Sequence, residues 1–419
     1  MKKFTQSTLA LALGTLMSGS AFAASLAITN ATVHTATEQG VLKGASIVVT
    51  DGKITAINPA EVKADQIIDA AGAIVTPGFI SSMNQLGLVE VGAVARSRDA
   101  EDDKAGIDFD PSLAFNPRSS LIPYARKGGI TQDIIVPDGG DSIFAGLAAT
   151  VDLSGEFDSV VATETALIVH LGAKSKGSRA MSLKNLIDKL DGQKTKLAKK
   201  DDKKDDKKDE KKADKPSAEE RILTEVLAGK LPVVVHVNRA SDILELLKVK
   251  ATFGLNLVLW GANDAVLVAD KIAAAKVPVI LSAMDNLPGD FDSLHAHLGN
   301  AGKLEQAGVK VLLTVGGDAS HNMYQMRFDA GNAVSNGMSY DGAIKAVTAN
   351  VAEVFGIDGG KIAVGQKADI VMWNADPLDF QGHVVKMWIN GEEVTTESRQ
   401  DKLRERYTTP TNMPVNYTK

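Results

Sequence analysis

An α/β fold is predicted by two features of the sequence. Apolar, strand-like runs alternate with helical stretches through the middle of the chain, and short strands joined by tight turns flank them at both ends. Strands buried on both faces and alternating with helices imply a parallel sheet, either open or closed into a barrel. Periodicity alone does not distinguish the two closures.

The elements follow in order. Residues 27–75 read as short strands, with Asp51-Gly52 between the apolar runs 46–49 and 53–57. An Asp-Gly pair in that setting signals a hairpin, because both turn residues need positive φ. Central strands are expected at 134–136, 166–169, 233–237, 255–260, 279–281 and 309–315. Helices are expected at 182–190, 217–228, 240–247, 265–274 and 340–348. Strands return at 368–373 and 384–389, and Asn390-Gly391 makes a second hairpin turn before Glu392. The two β blocks, 24–75 and 361–400, are expected to pair into a small split β-sandwich built from both chain ends. Residues 76–360 form the α/β region between them, and 401–419 are a tail.

Residues 1–23 read as a secretory signal. Lys2 and Lys3 precede a short apolar core, and Ala21-Phe22-Ala23 is a small-x-small cleavage site. A mature chain starting near Ala24 and a periplasmic location are expected, with no membrane anchor, since the apolar run is too short to span a bilayer. The chain has no cysteine, so disulfides, thiolate metal sites and a lipidated cysteine are excluded. A net charge of −6 argues against a nucleic-acid partner.

Residues 194–215 are rich in Lys and Asp and nearly free of apolar side chains. A helix there would stack Asp201 on Asp205 and Lys203 on Lys207, each pair repulsive by roughly a few tenths of a kcal/mol. A disordered insertion is expected instead, and a loop of that kind costs little to close.

Three segments belong together: Gly44-Ala45-Ser46-Ile47-Val48-Val49-Thr50-Asp51-Gly52-Lys53-Ile54, Ala70-Ala71-Gly72-Ala73-Ile74-Val75-Thr76-Pro77-Gly78-Phe79-Ile80, and Gly365-Gln366-Lys367-Ala368-Asp369-Ile370-Val371 with Asp376-Pro377-Leu378. They resemble segments of the amidohydrolases related to imidazolonepropionase. Thr348-Ala349-Asn350-Val351-Ala352 is similar to the family's Thr-x-Asn-Pro-Ala, with Val351 in place of proline. The resemblance implies a (β/α)8 TIM-like barrel with the split β-sandwich attached. It implies a hydrolase of non-peptide carbon–nitrogen bonds, acting on a small-molecule amide or cyclic amide. It also implies a divalent metal, usually zinc, at the C-terminal mouth of the barrel. The metal would be held by His-x-His on strand one, His on strands five and six and Asp on strand eight, with a bridging lysine on strand four in some members.

Carried over residue by residue, most of that ligand set is replaced. Pro77-Gly78-Phe79-Ile80-Ser81-Ser82-Met83-Asn84-Gln85 matches the strand-one frame, with Met83 and Gln85 at the two histidines and Ser81 at the aspartate. A thioether and a neutral amide are poor zinc ligands. His236 keeps the strand-five position, Trp260 stands at the strand-six histidine, and the strand-eight aspartate falls on Gly316 with Asp318 just beyond. No strand-four lysine can be placed, and His170 ends a plausible strand there.

The candidate catalytic residues are His236, Asp318 and His321, and the candidate substrate-binding residues are Gln85, Asn238, Arg239 and Trp260; no residue is assigned to a metal. Each also has a plainer reading. His236 can be a relic hydrogen-bonded in a polar pocket, Asp318 and His321 a capped turn, and Trp260 a filler of the space a metal would take. His170 reads as packing or solvent-facing, and His295 and His297 as surface residues. The loop 96–103 can hold a charged substrate or simply be solvated. Two functions remain: a hydrolase with an altered site, or a catalytically inactive binding or assembly partner. The second, a pseudoenzyme, would pair with a related amidohydrolase, and homo-oligomers are implied by the resemblance under either reading.

Overall fold

The computed structural model describes residues 25–172, 177–202, 215–316 and 319–410. The expected signal, Asp318 and the end of the C-terminal tail lie outside them. Among the described residues no helix is long and apolar enough to cross a membrane.

Five strands open the chain: β1 (Ser25–His34), β2 (Val41–Thr50), β3 (Lys53–Ile57), β4 (Gln66–Asp69) and β5 (Ile74–Pro77). Eight more follow: β6 (Phe79–Asn84), β7 (Ile130–Ile135), β8 (Phe144–Asp152), β9 (Val160–His170), β10 (Val233–Val237), β11 (Leu257–Gly261), β12 (Val279–Leu281) and β13 (Val311–Leu313). The last three are β14 (Ile370–Trp373), β15 (Val384–Ile389) and β16 (Glu392–Glu393). The helices are α1 (Leu121–Arg126), α2 (Arg179–Asp202), α3 (Ala218–Leu227), α4 (Ala240–Phe253), α5 (Ala269–Ala274), α6 (Asn300–Gln306), α7 (Met326–Ser335), α8 (Tyr340–Ala346), α9 (Ala349–Phe355) and α10 (Arg399–Thr408).

The two chain ends share one eight-stranded sheet. Its order is β16-β15-β14-β5-β1-β2-β3, with β4 paired to β1. The join is antiparallel between β5 and β14, where Val75 opposes Met372 and Thr76 opposes Val371. Both expected hairpin turns form, with positive φ at Asp51, Gly52, Asn390 and Gly391. The two tips also meet. A Cβ on Gly52 would lie 2.7 Å from the Asn390 carbonyl oxygen, so glycine is needed there twice over.

β6 to β13 form the second eight-stranded sheet, in sequence order, curled into a nearly closed TIM-like barrel. Its edge strands meet where the Thr314 hydroxyl donates to the Ser82 carbonyl. Side chains alternate across the wall, as a pleated strand requires. Ile168, Val234, Val258, Ile280 and Leu312 face the barrel interior, where Val351 and Phe355 of α9 pack against them. Val169, Val235, Leu259 and Leu313 face outward to Ile243 and Leu246 of α4. The Asn350 amide donates to the Val311 carbonyl at 2.8 Å, fixing α9 to the last barrel strand. Asp369, just before β14, accepts from Gln132 at 2.7 Å and from the Asn390 amide at 2.7 Å, tying the terminal sheet to β7.

Two expectations need correction. The barrel is not a regular (β/α)8 array, because β8 runs antiparallel to both β7 and β9 and no helix lies between these strands. An antiparallel neighbour needs only a short turn, whereas a parallel one needs a crossover. The charged stretch 194–215 is helical at its start, since α2 continues through residue 202, and residues 203–214 lie outside the described ones. Neither like-charge pair is complete within α2, and tertiary contacts hold the helix that far. Gln193 donates to Thr224 of α3 at 2.9 Å, and Lys196 reaches Glu220 at 2.8 Å. The capping box of Ser217 and Glu220 starts α3 where the sequence predicts.

Candidate functional site at the barrel mouth

Three neighbouring strands each place a ring on one register row. His236 of β10 lies opposite His170 of β9 and opposite Trp260 of β11. The His236 ring is 5.0 Å from the Trp260 ring and 6.1 Å from the His170 ring, edge-on to both. His170 is buried and His236 half-buried. The sequence signal for His170 was only its place at a strand end, and pairing alone brings it beside His236.

His236, Asn238 and Trp260 line a cleft of about 520 Å³ at the C-terminal ends of the strands. Gly261 makes their arrangement feasible. Its φ is +82°, and a Cβ there would lie 2.7 Å from Asn238 Oδ1 and 3.3 Å from His236 Nε2. The Gly261→Ala variant is therefore expected to displace Asn238 and to lose about 1–3 kcal/mol in a urea titration. Unchanged stability would show that the row tolerates a side chain. Opposite these residues the cleft carries Ser282, Asp285 and Thr314. Asp285 stands at the lip, where the surrounding walls raise its pKa while a hydrogen bond from Ser282 eases the rise. Asp329 of α7 is only 7% exposed. Burial, and then the charge of Asp285, push the Asp329 carboxyl up to about 7. No motif or spacing announces this carboxylate pair, because it joins the loop after β12 to a helix after β13.

The other expected site residues are placed differently. Met83 sits in a β-bulge of β6 with φ +58°, so the regular two-residue alternation with Gln85 is broken there. Gln85 follows the strand end, is buried, and its backbone amide donates to Ser320 Oγ at 3.2 Å; it does not line the cleft. Arg239 is also absent from the lining, and its guanidinium makes two hydrogen bonds to Asp242, at 2.8 and 2.9 Å. His321 is exposed on the 3-10 turn Ala319–Gln325, away from the cleft lining. Its expected partner Asp318 is outside the described residues. His295 and His297 lie in a loop, His295 hydrogen-bonded to Asp264 at 2.7 Å.

The side chains do not fit the metal that the resemblance implies. Trp260 stands where strand six would supply histidine. A Cβ on Gly316 would already lie 3.2 Å from the Met83 carbonyl and 3.5 Å from the Trp260 indole, leaving an aspartate there little room. Among the described residues no group of three or more His, Cys, Asp or Glu could hold a metal ion. A zinc site needs three or four such donors.

Comparison with known proteins places this architecture. Residues 201–396 match the model of the Amidohydrolase family. Amidohydrolase tasK of Hapsidospora irregularis is 22% identical over 390 residues, covering 82% of this chain and 39% of its own length. The chain thus spans about two-fifths of that relative, whose reach extends well beyond the part shared. The crystal structure of an amidohydrolase from Thermotoga maritima MSB8 superposes with a TM-score of 0.79 at 24% identity, covering 89% of this chain and 100% of that one. L-hydantoinase (dihydropyrimidinase) from Arthrobacter aurescens gives 0.52 at 15% identity, covering 88% and 96%. At such identities these structures share the fold. The family match, the curated relative and the shared barrel together support the amidohydrolase superfamily as the family this chain resembles.

Proposed function

We propose that the protein is a periplasmic hydrolase of non-peptide carbon–nitrogen bonds with an altered active site at the barrel mouth. The observation that carries this reading is His236, which keeps the strand-five position and opens into the cleft beside Asn238. A neutral imidazole there can take a proton from an attacking water. The Asn238 side chain, 3.4 Å from the Asn263 amide nitrogen, can orient the amide to be cleaved. The Trp260 indole offers a flat wall and keeps water from the cleft floor. The first barrel strand and the terminal sheet serve as scaffold, the sheet being our counterpart of the split sandwich.

The test is a screen of amides, lactams and cyclic amides on the purified mature protein, together with its metal content. The expected result is turnover that falls about 10²–10³-fold in the His236→Ala variant, with zinc and manganese well below one per chain. Stoichiometric metal would remove the altered-site reading. Turnover indifferent to His236 would remove the assigned base. An N-terminus near Ala24 on protein recovered from the periplasm would support the location.

Gly316, Met83 and Trp260 favour a second reading, an inactive binding or assembly partner. It predicts no turnover in the same screen and co-purification of a related, metal-bearing amidohydrolase.

A further inference from the structure

One wall of the cleft is a loop. It runs from the end of β12 at Leu281 to the start of α6 at Asn300, and its Leu287, Gly289, Asp290 and Ser293 line the cleft. Residues 284–291 are exposed throughout, whereas Asp292 and Ser293 are buried. An exposed loop keeps one shape only where bonds to a firmer part of the protein fix it. Here the fixing begins inside the loop. Ser293 Oγ accepts from the Gly289 amide at 3.0 Å and from the Asp290 amide at 3.1 Å, so residues 289–293 form one small knot.

The knot is anchored through a buried carboxylate. Arg179, the first residue of α2, donates to both oxygens of Asp292 at 2.6 Å. A Cβ on Gly172 would lie 3.4 Å from Asp292 Oδ2, which sets the same carboxylate against the chain just beyond β9. Arg179 is itself braced. Its Nε lies 3.9 Å from Asp242 of α4, and Asp242 takes two hydrogen bonds from Arg239 at 2.8 and 2.9 Å. A line of alternating charge, Arg239–Asp242–Arg179–Asp292, thus runs from the head of α4 past the head of α2 to the cleft wall. Asp292 is only 5% exposed. Taking the guanidinium from a carboxylate so buried leaves a charge that its surroundings solvate poorly, and moving toward water relieves it. The knot, and the wall it carries, would move as well.

We propose that Arg179 is a positioning residue for the cleft. It holds Asp292, Asp292 carries Ser293, and Ser293 sets the wall that faces the same cavity as His236 and Trp260. Arg179 does not itself line the cleft. Its role rests on the reading of the cleft as the active site, and it is the same whichever bond is cleaved there. By fixing the wall, Arg179 fixes the width of the cleft and so how firmly a ligand is held against His236.

Trp260 reports on the wall. It lines the cleft and is 9% exposed, while the chain's other two tryptophans, Trp373 and Trp388, are 0% and 1% exposed. Acrylamide quenching of tryptophan fluorescence is therefore expected to rise about twofold in Arg179→Ala, as the wall opens locally. Adding Trp260→Phe should abolish that rise. Arg179→Lys keeps the charge on a single nitrogen and should recover about half of the lost protection. Asp292→Ala should match Arg179→Ala, and the double variant should be no worse than either, because the two side chains act as one unit. Circular dichroism checks folding, and Arg179→Lys and Asp292→Asn, each expected to show a smaller rise, carry the test where an alanine variant does not fold. Unchanged quenching in Arg179→Ala, a rise that survives Trp260→Phe, or no recovery with lysine would overturn the proposal. For any amide that is turned over, KM should rise about tenfold in Arg179→Ala with kcat within about threefold of the original. The expected quenching with no amide hydrolysed would remove the hydrolase reading alone. Hydrolysis that depends on His236, with KM and quenching indifferent to Arg179, would remove the positioning role alone.

Discussion

Asp133→Asn is expected to stabilise the protein by about 4 kcal/mol at pH 8 and by nearly nothing at pH 4. Asp133 lies on β7, fully buried, in register with Ser81 of β6. Its Oδ1 accepts from the Asn84 amide at 2.7 Å. Its Oδ2 has no partner among the described residues, and Ser81 is near enough to ease the cost of charge without meeting hydrogen-bond geometry. Burial therefore pushes the carboxyl from its ordinary 3.8 up to about 7. A raised carboxyl pKa means that the folded state holds the proton more tightly than the unfolded chain. Below about pH 4 both states are protonated and the group costs nothing. Between about pH 4 and 7 the unfolded chain releases its proton first, so stability falls as pH rises. Above pH 7 the penalty is constant. Asparagine removes the titration, keeps an acceptor for Asn84 and brings a donor toward Ser81. Urea titrations of both proteins at pH 4 and pH 8 check this. A difference independent of pH would show that Asp133 ionises normally in the fold.

Arg126→Ala is expected to cost about 3–5 kcal/mol, the range for removing one member of a buried charged network. Arg126 ends α1 and is 5% exposed. Its guanidinium donates to three backbone carbonyls: Leu153 at 2.6 Å, Thr395 at 2.9 Å, and Ser154. These bonds join α1, the turn after β8 and the segment after β16. Burial lowers its pKa to about 10, with Asp152 opposing the shift, so it stays charged at neutral pH. Alanine would leave the three carbonyls without their donor and open a void. Arg126→Lys keeps the charge on a single nitrogen, cannot span the three acceptors and should fall between the two. Urea midpoints for the three proteins decide it, and an alanine cost below about 1 kcal/mol would mean that water replaces the guanidinium freely.

Much of the fold was readable because its signals are local. Asp51-Gly52 and Asn390-Gly391 form the turns that their φ preferences demand. Buried strands such as 233–237 and 279–281 are apolar on both faces, as parallel strands must be. β8 was not readable. Phe144–Asp152 carries three alanines and a glycine, has its only β-branched residues, Thr150 and Val151, near its end and lacks a strand's alternation, and its burial on both faces comes from neighbours. The continuation of α2 was hidden for a similar reason, since its support comes from Thr224 and Glu220 on another helix.

For the site, sequence by itself determined which residues stand at the ligand positions. Met83, Trp260 and Gly316 are read directly from motifs whose spacing survives, and so is His236. Only tertiary structure decided which side chains meet. It set His170 and His236 on one row and turned Gln85 and Arg239 away from the cleft. The reason is one of range. Turn chemistry and strand periodicity act between residues close in the chain. A cleft is made where strand ends and loops far apart in sequence converge, and no local preference encodes which of their side chains will share it.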